Sequence, residues 1–355
     1  MKKIAYIELD THAEIARNFM VLMNESKEFV VDYYFSEKIF KQIGKHQTNI
    51  FLTESTELLN QLNLKKYDLI IIGTVHRYFN LFNEIATTYN TSVIVHNINF
   101  TKISRFQLFK NIFKKDFKYR LKLLLKEDLI SAPKIFKKAK NLLVLDESFS
   151  QKNLKYLPLF FNQYQENKPA EIYTIVIPGA VSQARRDYKK VLAELKNFSD
   201  NHATYEQPIQ VIFLGKVQGK ELLWLKDFEK ELSNAISIQY FTEKVSQNIF
   251  DQWMNKADVL WCPIQRSTEF FSHPEIYSRT KMSGNIGDAI KYGKVAFFPK
   301  RNPSKLPFIM NEESFEKILH VQTLNLMNFQ KEFNQKKIAA DLEETLKMLL
   351  LEFKI

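Results

Sequence analysis

The sequence has a single cysteine, Cys262, so it forms no internal disulfide and suits a reducing compartment. The turn after the first apolar run, "ELDTHAEIA", contains no glycine, and GxxxxGK[ST] occurs nowhere. A dinucleotide fingerprint and a P-loop are therefore unsupported. HExxH and paired Cys-x-x-Cys are absent, which argues against a structural or protease-type zinc site. There is no Asp-x-Asp pair, and Mg²⁺ needs carboxylates to bridge it to phosphates. No RNP-like, helix-turn-helix or zinc-finger signature points to nucleic acid. No apolar run approaches the ~20 residues that span a bilayer. Met1-Lys2-Lys3 leads into only "IAYIEL", without a signal-peptide h-region or cleavage site. These absences predict a cytoplasmic protein with no resident metal or cofactor.

What is present is a chain of 355 residues, 45% hydrophobic and 26% charged, enough for a sizeable core in one large or two ordinary domains. Basic residues outnumber acidic ones 51 to 40, a net charge of +11. That balance suits an anionic partner: a phosphorylated ligand, an anionic membrane or nucleic acid. The excess is local, for residues 102–126 hold nine Lys/Arg and one Asp. Within them Phe106, Phe109, Phe113, Phe117, Leu121 and Leu124 recur every three or four residues. This spacing predicts one amphipathic basic helix, resting on an anionic membrane or packed in the core with solvated lysines.

Apolar runs alternate with helical patterns. Strands are predicted at 4–9, 29–35, 67–74, 91–96 and 141–146, with helices at 12–23, 54–62, 77–89 and 132–140. Residues 155–171, with two prolines and no period, read as a linker. The alternation restarts with strands at 172–179, 208–215, 236–241, 258–264 and 295–298, and ends in an amphipathic helix from 336. Strands apolar throughout and separated by helices imply parallel sheets covered on both faces.

Ligands of such sheets bind at the carboxyl ends of strands. Arg185 and Arg186 lie in such a loop at a helix start, where a guanidinium can fork onto phosphate or simply be solvated. Ser283-Gly284 opens the next helix, offering free N–H groups and a hydroxyl to a phosphate, or an ordinary cap. Asp288, one turn on, suits two ribose hydroxyls or the helix dipole. In the first half, loops 9–14, 73–78 and 95–100 each carry a histidine: His12, His76 and His96. Histidine is a suitable base near neutral pH, and Asp10 is a base or orients one; each is equally a hydrogen-bonded loop residue.

The pieces "G…RR-D-Y", "NKADVLWCPI" and "TKMSGNIGDAIKYGKVAFFP" resemble the donor half of GT-B glycosyltransferases. That family pairs a basic Gly-loop with an "ADV…P" strand and a helix ending "EA…GKPV". The resemblance spans both halves in rhythm and 172–299 in motif. It implies an α/β fold of two Rossmann-like domains facing a central cleft: an acceptor domain over 1–160, a nucleotide-sugar domain over 171–335, and a helix over 336–355 returning to the first. Asp288 stands where the family carries a ribose-binding Glu. Retaining members hold another Glu eight positions earlier; here that position is Thr280, followed by Lys281, and Glu275 in "HPEIY" fills part of the role. The implied donor set is Gly179, Arg185, Arg186, Phe241, Thr242, Glu275, Lys281, Ser283, Gly284 and Asp288. The implied acceptor set is His76, Arg77 and Asn97, with Asp10 or His12 as base and His96 positioning.

The activity implied is metal-independent transfer of a sugar from a nucleotide-diphosphate donor, a co-substrate, to a hydroxyl on a glycan or lipid-linked acceptor. Cell-surface polysaccharide or glycolipid synthesis at the inner face of the plasma membrane is the matching setting. The alternative is a non-catalytic module of the same fold that binds an anionic membrane or nucleic acid through its basic face, with a GT-B epimerase as a third.

Overall fold

The computed structural model describes residues 1–44, 49–163, 171–201, 207–232, 235–302, 304–320 and 327–351. The first half forms a seven-stranded sheet of β1 (Lys2–Glu8), β2 (Phe29–Phe35), β3 (Ile50–Leu52), β4 (Leu69–Ile72), β5 (Thr91–Ile94), β6 (Asn141–Val144) and β7 (Lys155–Tyr156). The spatial order is β3-β2-β1-β4-β5-β6-β7, and every pairing is parallel. Alternation decides which side chain goes where. Ile70 and Ile72 join a core layer with Phe82 and Val93, while Leu69 and Ile71 join the opposite layer with Phe19 and Leu143.

The second half repeats the plan with β8 (Tyr173–Pro178), β9 (Ile209–Lys216), β10 (Ile236–Phe241) and β11 (Val259–Trp261). An antiparallel hairpin follows, β12 (Ser267–Phe270) and β13 (His273–Ile276), then β14 (Val295–Pro299) and β15 (Ile309–Glu312). The six-stranded parallel sheet runs β10-β9-β8-β11-β14-β15. Ile175 and Ile177 pack with Trp261 and Phe297 on one face; Val176 packs with Leu260 and Phe298 on the other. The parallel two-sheet α/β architecture is the one the apolar runs imply. The short strands β3, β7 and β15 and the hairpin escape the sequence reading.

The segment 102–126 corrects an expectation. It is two helices, Arg105–Ile112 and Phe117–Glu127, broken at an elbow where Asp116 takes a left-handed φ of 50°. Leu108, Ile112 and Leu123 face the core. Phe106, Phe109, Phe113 and Phe117 point outward, 67, 46, 60 and 43% exposed. The phenylalanine stripe is thus not the packing face.

The proposed linker is anchored as far as it is described. Leu157, Leu159 and Phe161 are buried, and the Asn162 side-chain amide donates to the carbonyls of Ile290 (2.9 Å) and Lys291 (3.2 Å). Residues 164–170 of that stretch lie outside the described residues. The final helix, Gln335–Leu351, lays Ile338, Leu342, Leu346 and Leu349 into the core layer of the first sheet, beside Phe19 and Met20. Its predicted continuation over 352–355 lies outside the described residues. Across the cleft the two sheets present their carboxyl ends to each other, and Lys281 of the second half donates to Asn97 of the first at 2.6 Å.

Candidate functional site

On the second domain the site begins where β8 ends. Gly179 takes a φ of +103°, and a side chain there would collide with the Arg186 guanidinium. The glycine therefore lets Arg186 fold back over the end of the strand. Arg186 Nη2 donates to Asn285 Oδ1 at 3.1 Å, while its Nε is buried without a hydrogen-bond partner among the described residues. Asn285 continues the chain: its Nδ2 donates to Asp288 Oδ2 at 3.1 Å and to the Pro178 carbonyl at 3.3 Å. One amide thus joins the Gly179 loop, Arg186 and Asp288.

Asn285 lies in the first turn of the helix Gly284–Tyr292. Ser283 caps that helix by accepting from the Asn285 N–H (3.3 Å), and Gly293 closes it in a left-handed conformation. Gly284 is exposed, and a side chain there would meet no protein atom. Loss of water pushes the Asp288 carboxyl up to about 6, against the opposing hydrogen bond from Asn285. Arg185 is exposed beside Arg186. Phe241 and Thr242 stand at the end of β10; Phe241 packs on the layer that holds Ile286 and Ile290, and Thr242 is exposed.

On the first domain the three loop histidines meet. His12 and His96 stack with centroids 4.0 Å apart and planes 8° from parallel, and His76 lies edge-on to both at 5.8 and 6.0 Å. His96 Nε2 is 2.9 Å from the Gly73 carbonyl, which only accepts, so that nitrogen carries the proton. His12 Nδ1 is 3.1 Å from Glu14 Oε1 by the same logic, leaving Nε2 as its basic nitrogen. Burial, with the positive charge of His12 next, drives His76 down to about 3 and His96 well below its ordinary range. Both are neutral at physiological pH, and His12 keeps 31% of its side chain exposed.

The remaining predicted residues divide. Asp10 pairs with Lys38 at 3.2 Å. Asn97 joins the site through Lys281 and His76. Burial lowers the Lys281 ammonium, as does the nearby Arg185, against the pull of Glu275. His76 lies under Phe270 at 4.5 Å and lines a small partly open space with Val75, His96, Asn97, Phe100 and Phe136. Arg77 is held by Glu127 at 2.5 and 3.2 Å. Both side chains thus have protein partners, His76 at Thr11 and Asn97, and Arg77 at Glu127. The Glu275 carboxylate accepts the backbone N–H groups of Asn99 and Phe100 in the first domain. Among the described residues no group of three or more His, Cys, Asp or Glu is placed to hold a metal ion.

Sequence reasoning missed Asn285, Glu14 and, most of all, Glu8. Glu8 is 1% exposed at the end of β1. It accepts from Thr74 Oγ1 at 2.7 Å, and that hydroxyl lies 3.5 Å from His96 Nε2. Burial raises the Glu8 carboxyl from about 4.5 to about 8, outweighing the hydrogen bonds it accepts. Between those values the folded protein keeps a proton that the unfolded chain releases, so stability falls as pH rises through the window, by about 1.4 kcal/mol per unit at most. Glu8→Gln removes this slope. Urea denaturation from about pH 5 to pH 8 should show the variant gaining on the parent, by a few kcal/mol at the upper end. Parallel stability curves would refute a buried, protonated Glu8.

No protein-family model matches the sequence, and no curated protein does. Solved structures do match. Anabaena Alr3699/HepE in complex with UDP superimposes with a TM-score of 0.59 at 11% identity, covering 98% of this chain and 100% of that one. The pneumococcal O-GlcNAc transferase GtfA in complex with UDP and GlcNAc gives 0.56 at 11% identity, covering 98% and 99%. UDP-GlcNAc 2-epimerase from Neisseria meningitidis bound to UDP-GlcNAc gives 0.54 at 10% identity, covering 98% and 100%. The likeness is one of fold: two Rossmann-like domains with their strand ends across a cleft, so the chain has the GT-B fold.

Proposed function

We propose that the chain is a glycosyltransferase that moves a sugar from a nucleotide-diphosphate donor to a hydroxyl acceptor without a metal. The observation that carries this is the Arg186–Asn285–Asp288 network at a capped helix start, on the domain opposite His12. A diphosphate at that helix start meets the amide N–H groups behind Gly284 together with Arg185, Arg186 and Lys281. A ribose one turn along meets Asp288. The open space before Gly284 suits close approach of a ligand. Solved proteins of this fold hold UDP or UDP-GlcNAc, which favours a uridine donor.

In the proposed reaction His12 Nε2 takes the proton of the acceptor hydroxyl as its oxygen bonds to the anomeric carbon. The bond from that carbon to the diphosphate oxygen breaks, and the negative charge it leaves is met by the cations already in place. Glu14 holds the His12 ring through Nδ1 and so turns Nε2 to the acceptor. Neutral His96 stacks on that ring and fixes its plane.

The elbow between the two basic helices supports a lipid-linked acceptor of a glycolipid or cell-surface polysaccharide pathway. Four exposed phenylalanines lie together there, with neighbouring rings 5.5 Å (Phe109–Phe113) and 5.4 Å (Phe113–Phe117) apart. Lys110, Lys114, Lys115 and Lys118 surround them. Aromatic rings amid lysines fit the headgroup region of an anionic bilayer, such as the inner face of the plasma membrane. Among the described residues no helix is long and apolar enough to cross one.

UDP should raise the thermal midpoint of the parent protein. Arg186→Ala should remove most of that shift, and Lys66→Ala, at the opposite end of β4, should keep it. Equal shifts in both variants would take Arg186 out of the site. His12→Gln should cut kcat about 100-fold or more while the UDP shift persists; a kcat within about threefold of the parent would exclude His12 as the base. For the elbow, the protein should sediment with phosphatidylglycerol vesicles and remain free of phosphatidylcholine ones. Changing Lys114, Lys115 and Lys118 to Glu should lower that binding at least about tenfold, at about 1 kcal/mol per basic residue. Unaltered sedimentation would leave the elbow without a lipid role.

A further inference from the structure

The hairpin β12–β13 belongs to the second domain in sequence but is seated on the first. At its tip Phe271 packs against Phe100 (5.7 Å) and Phe79 (6.2 Å). Arg120 donates to Ser272 Oγ at 2.8 Å, and Lys115 pairs with Glu269. Both residues of the two-residue turn are left-handed, Phe271 at φ 48° and Ser272 at φ 53°. Such a turn favours Asn-Gly, and a phenylalanine there is strained. Contact with the first domain is what holds the strained tip in place.

At the base of the hairpin the attachment is polar. Glu275 is fully buried, and its two oxygens accept separately from the N–H groups of Asn99 (3.2 Å) and Phe100 (2.9 Å). The Asn99 side-chain amide donates to the Pro274 carbonyl at 3.0 Å. The chain then stays on the same turn of the first domain. The Ile98 N–H donates to the Thr280 carbonyl at 2.9 Å, and Lys281 donates to Asn97 at 2.6 Å. Residues 274–281 of one domain thus run along residues 97–100 of the other, directly after His96.

We infer that Glu275 is a positioning residue: its carboxylate clasps the Asn99–Phe100 turn and so sets Lys281 beside Asn97 and His96, fixing the distance between the donor cations and the base. The kinetic side of this inference rests on the proposed glycosyl transfer; the clasp itself does not. Only a carboxylate offers an acceptor to each of the two N–H groups. A glutamine offers one oxygen and turns its own N–H groups on the other donor.

Glu275→Gln should raise hydrogen–deuterium exchange of the amides in residues 97–101 at least tenfold. It should lower kcat at least tenfold and weaken the UDP thermal shift only in part, because Lys281 is released while Arg186, Asn285 and Asp288 do not depend on the hairpin. Glu275→Asp, which keeps both acceptor oxygens, should recover part of the protection and part of kcat. Phe271→Ala, which leaves the carboxylate in place and loosens the tip, should raise the same exchange and serves if Glu275→Gln does not fold. Unchanged exchange in a folded Glu275→Gln would overturn the clasp. Raised exchange with unchanged kcat would reduce Glu275 to a structural contact and overturn the positioning role. A parent protein without transferase activity would sink the glycosyl-transfer reading alone, and the exchange measurement would still decide the clasp.

Discussion

Parallel pairing is the constraint from which the rest of the molecule follows. Strands that all run one way gather their outgoing loops on a single edge of the sheet. This chain makes two such sheets, seven strands and six, with those edges facing. Every residue of the candidate site lies on one of the two edges. Backbone amides and carbonyls also end there without sheet partners, and buried side chains satisfy them. Glu8 accepts from the Asp10 N–H, Glu275 from those of Asn99 and Phe100, and Asn285 donates to the Pro178 carbonyl. The polar groups that finish the strands are thus the groups that shape the cleft.

Burial also sorts the histidines. Three imidazoles in contact cannot all be charged, and loss of solvation removes the charge first from the most enclosed. His96 and His76 are held neutral by their surroundings and by one another. His12 is paired with Glu14 instead. The same balance operates across the interface, where Lys281 loses solvation near Arg185 yet is retained by Glu275 and Asn97.

The architecture was legible because β2, β4, β8 and β14 are apolar at nearly every position. Asp288 and the Gly179–Arg186 loop stood out because turn chemistry and charge coincide there. The hairpin did not stand out. "STEFFSHPEI" lacks apolar alternation, and its tip uses Phe-Ser where a tight turn calls for Asn-Gly. Glu275 was placed with the donor because chain order cannot show that its partners lie about 175 residues away. Glu8 was hidden inside "IAYIEL", where a single acid looks like the exposed end of a strand. The basic segment misled through its spacing: the three-to-four period of phenylalanines marks a helical stripe but does not say whether it faces the protein or the solvent.

The last helix has a consequence for how the molecule is made. Ile338, Leu342, Leu346 and Leu349 fill a core layer whose other members come from the first 161 residues. As the chain leaves the ribosome, the first sheet emerges early and waits, with an apolar flank bare, until residues 338–349 follow the whole second sheet. The second sheet closes around its own residues in the meantime. Of the two domains, the one that begins first therefore finishes last, and the nascent chain carries its exposed flank while the second sheet is made.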